Sequence, residues 1–383
     1  MALTGNLAVN GKPALLAAQI WQEDVNARGG LLGRRVELVY YDDQSNPATV
    51  PGIYAKLLDV DRVDLVLSGY ATNLVAAFMP TAIQRDLLAL SLFATAANEE
   101  FHYPKYFSMI PLGPHPTIEI SKGFFDIAMT LKPEPRTIAI VSADAEFAHR
   151  AAESARRNAK AAGLKVVYDR SYPPNTVDFS PIVRAIQSAN PDIVYAGSYP
   201  SDSVGIVRAA NELGLKTKQF GGTMVGLQST TLRMQLGPLL NGVVANDYWV
   251  PQPTLMFPGI AEFLAKYQTR ASAAGTDPLG YYVPPLAYAR MQVLGAAIEA
   301  TQSVDQSKIA AYLREAIVHT VAGDIKFGID GEWAKPRFLF VQFQGIKGND
   351  LAQFRNPGTY VVLYPAEYKS NATVIPYDEA RSR

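Results

Sequence analysis

Apolar positions along the chain follow two alternating periods, that of a β-strand and that of an α-helix. Short apolar runs predict strands at 35–41, 63–67, 87–92, 137–141, 165–168, 192–196 and 242–250. Amphipathic stretches predict helices at 13–27, 47–58, 73–84, 118–131, 146–162, 180–188 and 202–213. Because strands and helices alternate through short loops, the pattern is typical of parallel sheets covered by helices on both faces. Such doubly wound sheets bind ligands beyond the carboxyl ends of their strands.

An internal repeat divides this pattern into two similar parts. In each part a helix, a glycine stop, a strand ending in Tyr-Asp, a second helix and a second strand lead to a tyrosine, first Tyr70 and then Tyr199. A third, mainly helical block at 248–320 is too small for another lobe and is expected to complete the first. We therefore predict a first lobe of residues 1–115 plus 250–320 and a second of 116–249 plus 321–383. The alternative is that any two βαβα units look alike.

The repeat has one gap. The second part begins with the strand at 137–141, whereas no strand precedes the first helix, which follows residues 1–5 directly. In a doubly wound sheet that strand is central, so its absence leaves two neighbouring strands without ladder partners. We expect an intact chain to carry about six to ten further N-terminal residues, one strand's worth, together with an export signal.

Composition excludes several classes of function. Lys+Arg and Asp+Glu both number 35, so the basic excess of a nucleic-acid binder is absent. The chain has no cysteine, and its four histidines lack metal-ligand spacing. It also lacks the GxGxxG, GxxxxGK[ST], HExxH and GxSxG motifs. We expect no cofactor, no metal and no enzymatic activity.

Small hydroxyl residues follow two of the predicted strands. Thr72 follows the strand at 63–67 and opens a helix, where a cap and the helix dipole favour a carboxylate. Thr95 follows the strand at 87–92. Taken alone, Thr72 is more typical of an ordinary helix cap. Two neighbouring strand ends with the same chemistry, however, predict a shared anion site.

Several segments together resemble one family. They are residues 4–11, the helix end at 26–30, the Asp42-Asp43 turn, and residues 178–180, 197–199, 214–216 and 277–282. The chain resembles, from Met1 to about Gly345, the leucine/isoleucine/valine-binding type of periplasmic solute-binding protein that serves ABC importers. This resemblance implies an α/β type I fold of two Rossmann-like lobes joined by three crossovers, with the ligand in the cleft. It also implies that the missing first strand belongs to the fold.

The resemblance also implies which residues bind the ligand. Thr72 and Thr95, with backbone near Phe93, fall on the carboxylate-binding positions. The side-chain positions of the two lobes fall on Asn10, Tyr282, Phe147, Tyr199 and Met224. Trp249, an aromatic residue near a predicted strand–helix junction, is a further candidate for the pocket wall.

One of these positions departs from the family pattern. Met224 falls where amino-acid-binding members carry the acid that pairs with the ligand's ammonium. A buried ammonium without a counter-charge is costly, so we expect an aromatic or other hydrophobic carboxylate as ligand. Asp144, Glu146 or Asp247 are alternative sources of the missing charge.

These observations predict a periplasmic, monomeric receptor that captures a small carboxylate and delivers it to an ABC permease. Within binding proteins, the alternative is a branched-chain amino acid, amide or urea-like ligand. Alternatives of other classes are a soluble α/β enzyme and a sensory ligand-binding domain of the same fold.

Overall fold

The computed structural model describes residues 1–381, which form two compact units. Unit 1 consists of Met1–Pro114 and Leu255–Pro336, and unit 2 consists of His115–Thr254 and the residues from Arg337 onward. The chain therefore passes from one unit to the other three times.

The elements follow in chain order. The first stretch of unit 1 contains α1 (Ala8–Ala27), a 3₁₀ turn (Pro47–Thr49), α2 (Val50–Ala55) with a π-helical turn (Lys56–Val60), α3 (Thr72–Gln84), β1 (Ala89–Ser91), α4 (Asn98–Phe101) and β2 (Tyr106–Ser108). Unit 2 then contains α5 (Pro116–Ala128), β3 (Thr137–Ala143), α6 (Glu146–Ala161), β4 (Lys165–Tyr172), α7 (Ser180–Ala189), β5 (Ile193–Ser198), α8 (Pro200–Glu212), β6 (Gln219–Met224), α9 (Thr230–Leu236), a 3₁₀ turn (Gly237–Leu240) and β7 (Val243–Asp247). After a 3₁₀ turn (Pro253–Leu255), unit 1 resumes with α10 (Ile260–Ala271), α11 (Val283–Thr301), α12 (Gln306–Glu315), β8 (Ile317–Thr320) and β9 (Gly323–Lys326). Unit 2 ends with β10 (Leu339–Phe343), 3₁₀ turns (Leu351–Arg355, Pro357–Thr359, Ala366–Tyr368), β11 (Tyr360–Tyr364) and α13 (Tyr377–Ala380).

A seven-stranded sheet forms the core of unit 2, in the order β11-β10-β7-β6-β5-β3-β4. Strands β3 to β7 pair in parallel, whereas β10 is antiparallel to both of its neighbours. Helix α6 covers β3 and β5 with a row of buried alanines, and Gly197 of β5 lies so close that an added Cβ would be 3.3 Å from Ala151 Cβ. Small residues on both elements thus allow the close approach, and they place the carboxyl ends of the parallel strands at one edge.

Unit 1 has less regular sheet structure. β1 and β2 pair in parallel, and β8 and β9 form an antiparallel hairpin. That hairpin packs on α11 and α12. Because the hairpin belongs to unit 1, the chain returns to unit 2 only after Pro336. The sequence predicted this return at residues 320/321.

The predicted strands at 35–41 and 63–67 are wrong as regular strands. Neither segment belongs to a ladder of the described chain. The physical reason, which the repeat already indicated, is that these segments have no neighbouring strand among residues 1–381. A parallel strand needs a hydrogen-bonding neighbour, and no strand of residues 1–381 lies against these two. The corresponding strands of unit 2, β4 and β5, both pair with β3.

No helix within residues 1–381 is long and apolar enough to cross a membrane.

Candidate functional site

Six of the buried residues of unit 1 form what we call the unit 1 cluster. Its members are Asn10, Tyr70, Thr72, Phe93, Thr95 and Tyr282, all less than one-tenth exposed. They come from α1, from the two chain segments that follow 63–69 and β1, and from the start of α11. An isolated parallel bridge between Tyr70 and Leu92 holds the two segments side by side. The hydroxyls of Thr72 and Thr95 therefore follow two neighbouring segments of the chain, as the sequence indicated.

The two threonines are linked directly. The backbone N–H of Thr95 donates to Thr72 Oγ1 at 3.1 Å. Because Thr72 is the first residue of α3 and uses its hydroxyl in this way, it is not the helix cap that the sequence suggested. The capping position belongs to Ala71, which has φ 85° and no side-chain oxygen. The first amides of α3 therefore lack a side-chain cap.

The Thr95 side chain combines burial with an unused hydroxyl group. Its side chain is 1% exposed, and its Oγ1 meets no hydrogen-bond partner among the described residues. A buried hydroxyl without a partner costs about 1–3 kcal/mol. Together with the amides of α3, it offers hydrogen-bond donors that an incoming anion can use.

The rest of the unit 1 cluster is aromatic. Asn10 Nδ2 donates to the Tyr70 hydroxyl at 3.0 Å, and the hydroxyls of Tyr70 and Tyr282 are 3.4 Å apart. The Phe93 ring lies 5.5 Å from that of Tyr70 and 5.3 Å from that of Tyr282, centroid to centroid. The side chain of Phe93 is carried by a backbone with φ 58°. A positive φ in a bulky residue is uncommon and often marks a functional site.

Sequence reasoning did not include Tyr70 among the site residues. Its hydroxyl joins Asn10 to Tyr282, and its ring contacts Phe93. A signal was present, since Tyr70 occupies in the first repeat the position that Tyr199 occupies in the second.

The predicted residues of unit 2 lie at the carboxyl edge of its parallel strands. Phe147 is in the first turn of α6, just after β3, and Tyr199 directly follows β5. Met224 ends β6 opposite Ser198, and Trp249 lies just beyond β7. Phe147, Met224 and Trp249 are buried, and Tyr199 is partly buried. We call them the unit 2 cluster.

Within the unit 2 cluster, Phe147 and Tyr199 form an edge-to-face pair with centroids 5.9 Å apart. Burial raises the pKa of Tyr199 above its ordinary value, and the nearby backbone N–H of Phe147 opposes that rise. The Tyr199 hydroxyl meets no partner at hydrogen-bonding geometry within residues 1–381. Each unit thus has one buried, unpartnered hydroxyl among its candidate site residues.

The three carboxylates considered as substitutes at the Met224 position are already paired. Asp144 Oδ1 lies 2.7 Å from His149 Nε2, and Glu146 accepts from Arg150 at 3.0 Å; both acids are exposed or half-exposed. The third, Asp247, is fully buried with Arg233.

Asp247 is held by several groups within unit 2. Its Oδ2 accepts from the Tyr360 hydroxyl at 2.8 Å and lies 3.3 Å from Arg233 Nη2, while its Oδ1 accepts from the Tyr248 amide. Burial raises the pKa of Asp247 to about 6, against the opposing effect of Arg233. Its structural bonds leave little capacity for a ligand's ammonium.

The chemistry of both clusters is therefore that of a binding site. Neither contains an ionisable carboxylate, amine or imidazole among its named members. No group of three or more potential metal ligands occurs in the part of the chain that the structure describes. Neutral donors and aromatic rings suit an anion with an apolar body.

Comparison with known proteins identifies the family. The profile described as "Periplasmic binding protein" matches residues 1–347. The chain belongs to the periplasmic binding protein family. Its fold is accordingly of type I, its class is that of a solute-binding receptor, and membership implies a periplasmic location.

Individual relatives support the same assignment. The chain is 27% identical over 358 residues to Leu/Ile/Val-binding protein homolog 8 of Brucella abortus, covering 89% of this chain and 86% of that protein. Among solved structures, it is similar to a solute-binding protein of an ABC transporter from Rhodopseudomonas palustris in complex with p-hydroxybenzoic acid, with a TM-score of 0.77, 19% identity and coverage of 91% and 92%. It is also similar to a branched-chain amino acid transporter substrate-binding protein from Streptococcus pneumoniae in complex with isoleucine, with a TM-score of 0.74, 18% identity and coverage of 91% and 94%.

Proposed function

We propose that this binding protein captures a small aromatic carboxylate and delivers it to an ABC permease. The observation that carries the proposal is the buried Thr95 hydroxyl, which meets no hydrogen-bond partner among residues 1–381 and lies beside the uncapped first turn of α3. A carboxylate oxygen accepting from this hydroxyl and from the helix amides would satisfy donors that the protein leaves unused. The helix dipole adds to the attraction for a negative charge.

The two clusters, as described, offer no comparable site for the positive end of an amino acid. Met224 is apolar and fully buried, and Asp144, Glu146 and Asp247 are each engaged by a basic side chain. Burying an unpaired ammonium would cost several kcal/mol. An aromatic acid avoids that cost because it has no ammonium.

The aromatic side chains suit the body of such a ligand. Phe93 and Tyr282 in unit 1, and Phe147 and Tyr199 in unit 2, supply rings that can contact another ring edge-to-face. Met224 and Trp249 add polarisable apolar surface. Asn10 acts indirectly, by orienting Tyr70. The complex of a structural relative with p-hydroxybenzoic acid supports the choice of an aromatic acid.

The proposal includes the cellular setting: an export signal directs the chain to the periplasm, and it acts there as a monomer. Its partners are then the ligand and the permease, with no nucleic acid and no cofactor.

The alternative is a branched-chain amino acid, favoured by the similarity to the Brucella homolog of Leu/Ile/Val-binding protein. In that case an acid of unit 2 must pair with the ammonium. Asp202 is the acid nearest in sequence to Tyr199; it accepts from the Tyr172 hydroxyl at 3.2 Å, and burial raises its pKa.

A thermal-shift screen separates these ligand classes. Benzoate, 4-hydroxybenzoate, phenylacetate and cinnamate are compared with leucine, isoleucine and valine. A ligand at 100 times its Kd adds about 2.7 kcal/mol to the stability of the folded protein. The proposal expects a rise in Tm with aromatic acids only. A rise with amino acids alone, abolished by Asp202→Asn, would establish the alternative.

A further inference from the structure

Glu332 is a carboxylic acid buried in unit 1 without a hydrogen-bond partner. The residue is 3% exposed, and neither Oε1 nor Oε2 meets a partner among residues 1–381. A buried carboxylate normally accepts hydrogen bonds or pairs with a base, because burying it alone is costly. Glu332 belongs to neither cluster described above, so its burial calls for a separate explanation.

The segment that carries Glu332 is packed tightly onto β2. Gly331 O accepts from the Ser108 amide at 2.9 Å, and Trp333 Nε1 donates to Ser108 O at 3.0 Å. The approach is so close that a Cβ added to Gly331 would lie 1.9 Å from Tyr106 O. Bonds on both sides of Glu332 therefore hold it beside the carboxyl end of β2.

A row of buried polar groups leads from Glu332 to β1. The Ser108 hydroxyl lies beside the Glu332 carboxyl group, and the Tyr106 hydroxyl lies beside those of Ser108 and Ser91. Ser91 Oγ donates to the Tyr106 hydroxyl at 3.0 Å. All four residues are buried. We call Glu332, Ser108, Tyr106 and Ser91 the Glu332 row.

The far end of the Glu332 row lies next to the proposed carboxylate site. Ser91 is the last residue of β1, and Leu92 directly after it forms the bridge to Tyr70. Phe93, with its φ of 58°, and the buried Thr95 follow in the same segment. A change in the position of Ser91 is therefore transmitted directly to the segment that carries the Thr95 hydroxyl.

The charges around Glu332 disfavour its ionised form. Burial raises the pKa of Glu332 well above its ordinary value, and the negative charges of Asp330 in its own turn and Glu99 of α4 raise it further. On β2 the facing titratable group is Tyr106. On α12 the guanidinium of Arg314 donates to two backbone carbonyls. Glu332 therefore keeps its proton to a higher pH than an exposed glutamate does.

We propose that Glu332 is a positioning residue of the carboxylate site, and that it acts in its protonated form through the Glu332 row. The neutral acid donates to the Ser108 hydroxyl and completes the row, which keeps the end of β1 and the Thr95 hydroxyl in place. Ionisation removes this donor and adds a negative charge to the unit that binds the ligand's carboxylate. Both effects weaken binding, so affinity falls as pH rises. The proposal rests on the carboxylate ligand proposed above.

The first test measures the Kd of benzoate between pH 5.5 and pH 9 by calorimetry. We expect the Kd of the unaltered protein to rise at least about fivefold across this range. Glu332→Gln keeps a neutral donor and should make the Kd independent of pH. Glu100→Gln, the same change at an exposed glutamate of α4, should keep the pH dependence. A Kd that does not vary with pH in the unaltered protein, or varies equally in Glu332→Gln, would overturn the proposal.

A second measurement detects the proton itself. At the pH where the Kd of the unaltered protein changes most steeply, benzoate binding should take up protons, because the bound form favours protonated Glu332. The binding enthalpy should then differ between phosphate and Tris buffers, and Glu332→Gln should remove the difference. Equal enthalpies in the two buffers for the unaltered protein would contradict the proposal, since a purely structural role involves no proton uptake.

A third measurement needs no ligand. The amides of Leu92 and Thr95 donate to side-chain hydroxyls, so their hydrogen exchange reports the order of this segment. At pH 6 the unaltered protein and Glu332→Gln should exchange equally, whereas at pH 8 the unaltered protein should exchange at least about fivefold faster. Equal exchange at both pH values would overturn the role of Glu332. Failure to bind any aromatic acid would refute the proposed ligand instead, and the exchange comparison would still decide whether Glu332 orders the segment.

Discussion

The Thr95 hydroxyl provides the sharpest test of carboxylate binding. Thr95→Val replaces the hydroxyl by a methyl group of nearly the same size. In the free protein the hydroxyl is buried and makes no hydrogen bond to residues 1–381, so its removal should leave stability unchanged or raise it by up to about 1–3 kcal/mol. The backbone N–H of Thr95, which donates to Thr72, is retained.

Ligand affinity should change in the opposite direction. A hydrogen bond to a charged group contributes about 1.5–3 kcal/mol, so Thr95→Val should raise the Kd for an aromatic carboxylate about 10- to 150-fold. Isothermal titration calorimetry measures the Kd, and thermal denaturation without ligand measures stability.

Thr320→Val is the matched control in unit 1. Thr320 is also buried, but its hydroxyl donates to Gly323 O at 2.7 Å and accepts from the Ala322 amide. This variant should lose stability and keep its affinity. The reasoning is refuted if Thr95→Val lowers the Tm of the free protein as Thr320→Val does while the Kd stays unchanged.

Three further predictions concern other buried groups. Tyr199→Phe should weaken binding of 4-hydroxybenzoate about tenfold but leave benzoate binding unaffected. The reason is that the unpartnered Tyr199 hydroxyl can form a hydrogen bond only to a ligand with a polar group opposite its carboxylate. Equal losses of affinity for both acids in calorimetry would argue against this contact. Asp247→Asn should destabilise the protein by about 3–5 kcal/mol because it leaves Arg233 buried without its counter-charge. Asp144→Asn, which changes an exposed ion pair, should have little effect in thermal melts. Comparable losses of stability in the two variants would contradict the argument from burial. Burial raises the pKa of Glu332 well above its ordinary value, so the stability linked to its protonated form is complete below the ordinary pKa and is lost as pH rises towards the folded-state pKa. Glu332→Gln should therefore raise Tm more at pH 8 than at pH 4. A difference in Tm that does not depend on pH would be inconsistent with the raised pKa.

The elements of unit 2 were largely predictable because their local sequence patterns agree with the structure that they adopt. The predicted strand at 137–141 appears within β3, and the helix predicted at 146–162 appears as α6. In α6 the apolar period agrees with the buried face, and the apolar run of β3 is buried apart from its first residue. The family resemblance and the type I fold are confirmed by the profile match.

Other features depended on partners that periodicity does not reveal. Residues 35–41 have strand composition, but a ladder also needs a neighbour, and the described chain supplies only Met1. Thr72 has the composition of a helix cap, yet its hydroxyl accepts from Thr95, 23 residues along the chain. Tyr70 is connected to Asn10 and Tyr282 through bonds that only the folded unit creates. The site residues stay predictions until a ligand is bound.

The most direct test of the central claim is calorimetric titration of the protein with 4-hydroxybenzoate, benzoate and leucine. An unpaired buried ammonium costs at least about 3 kcal/mol, so the aromatic acids should bind at least about a hundredfold more tightly than leucine. Leucine binding as tightly as either aromatic acid, or more tightly, would contradict the account, because the protein would then hold an ammonium that neither cluster is built to pair.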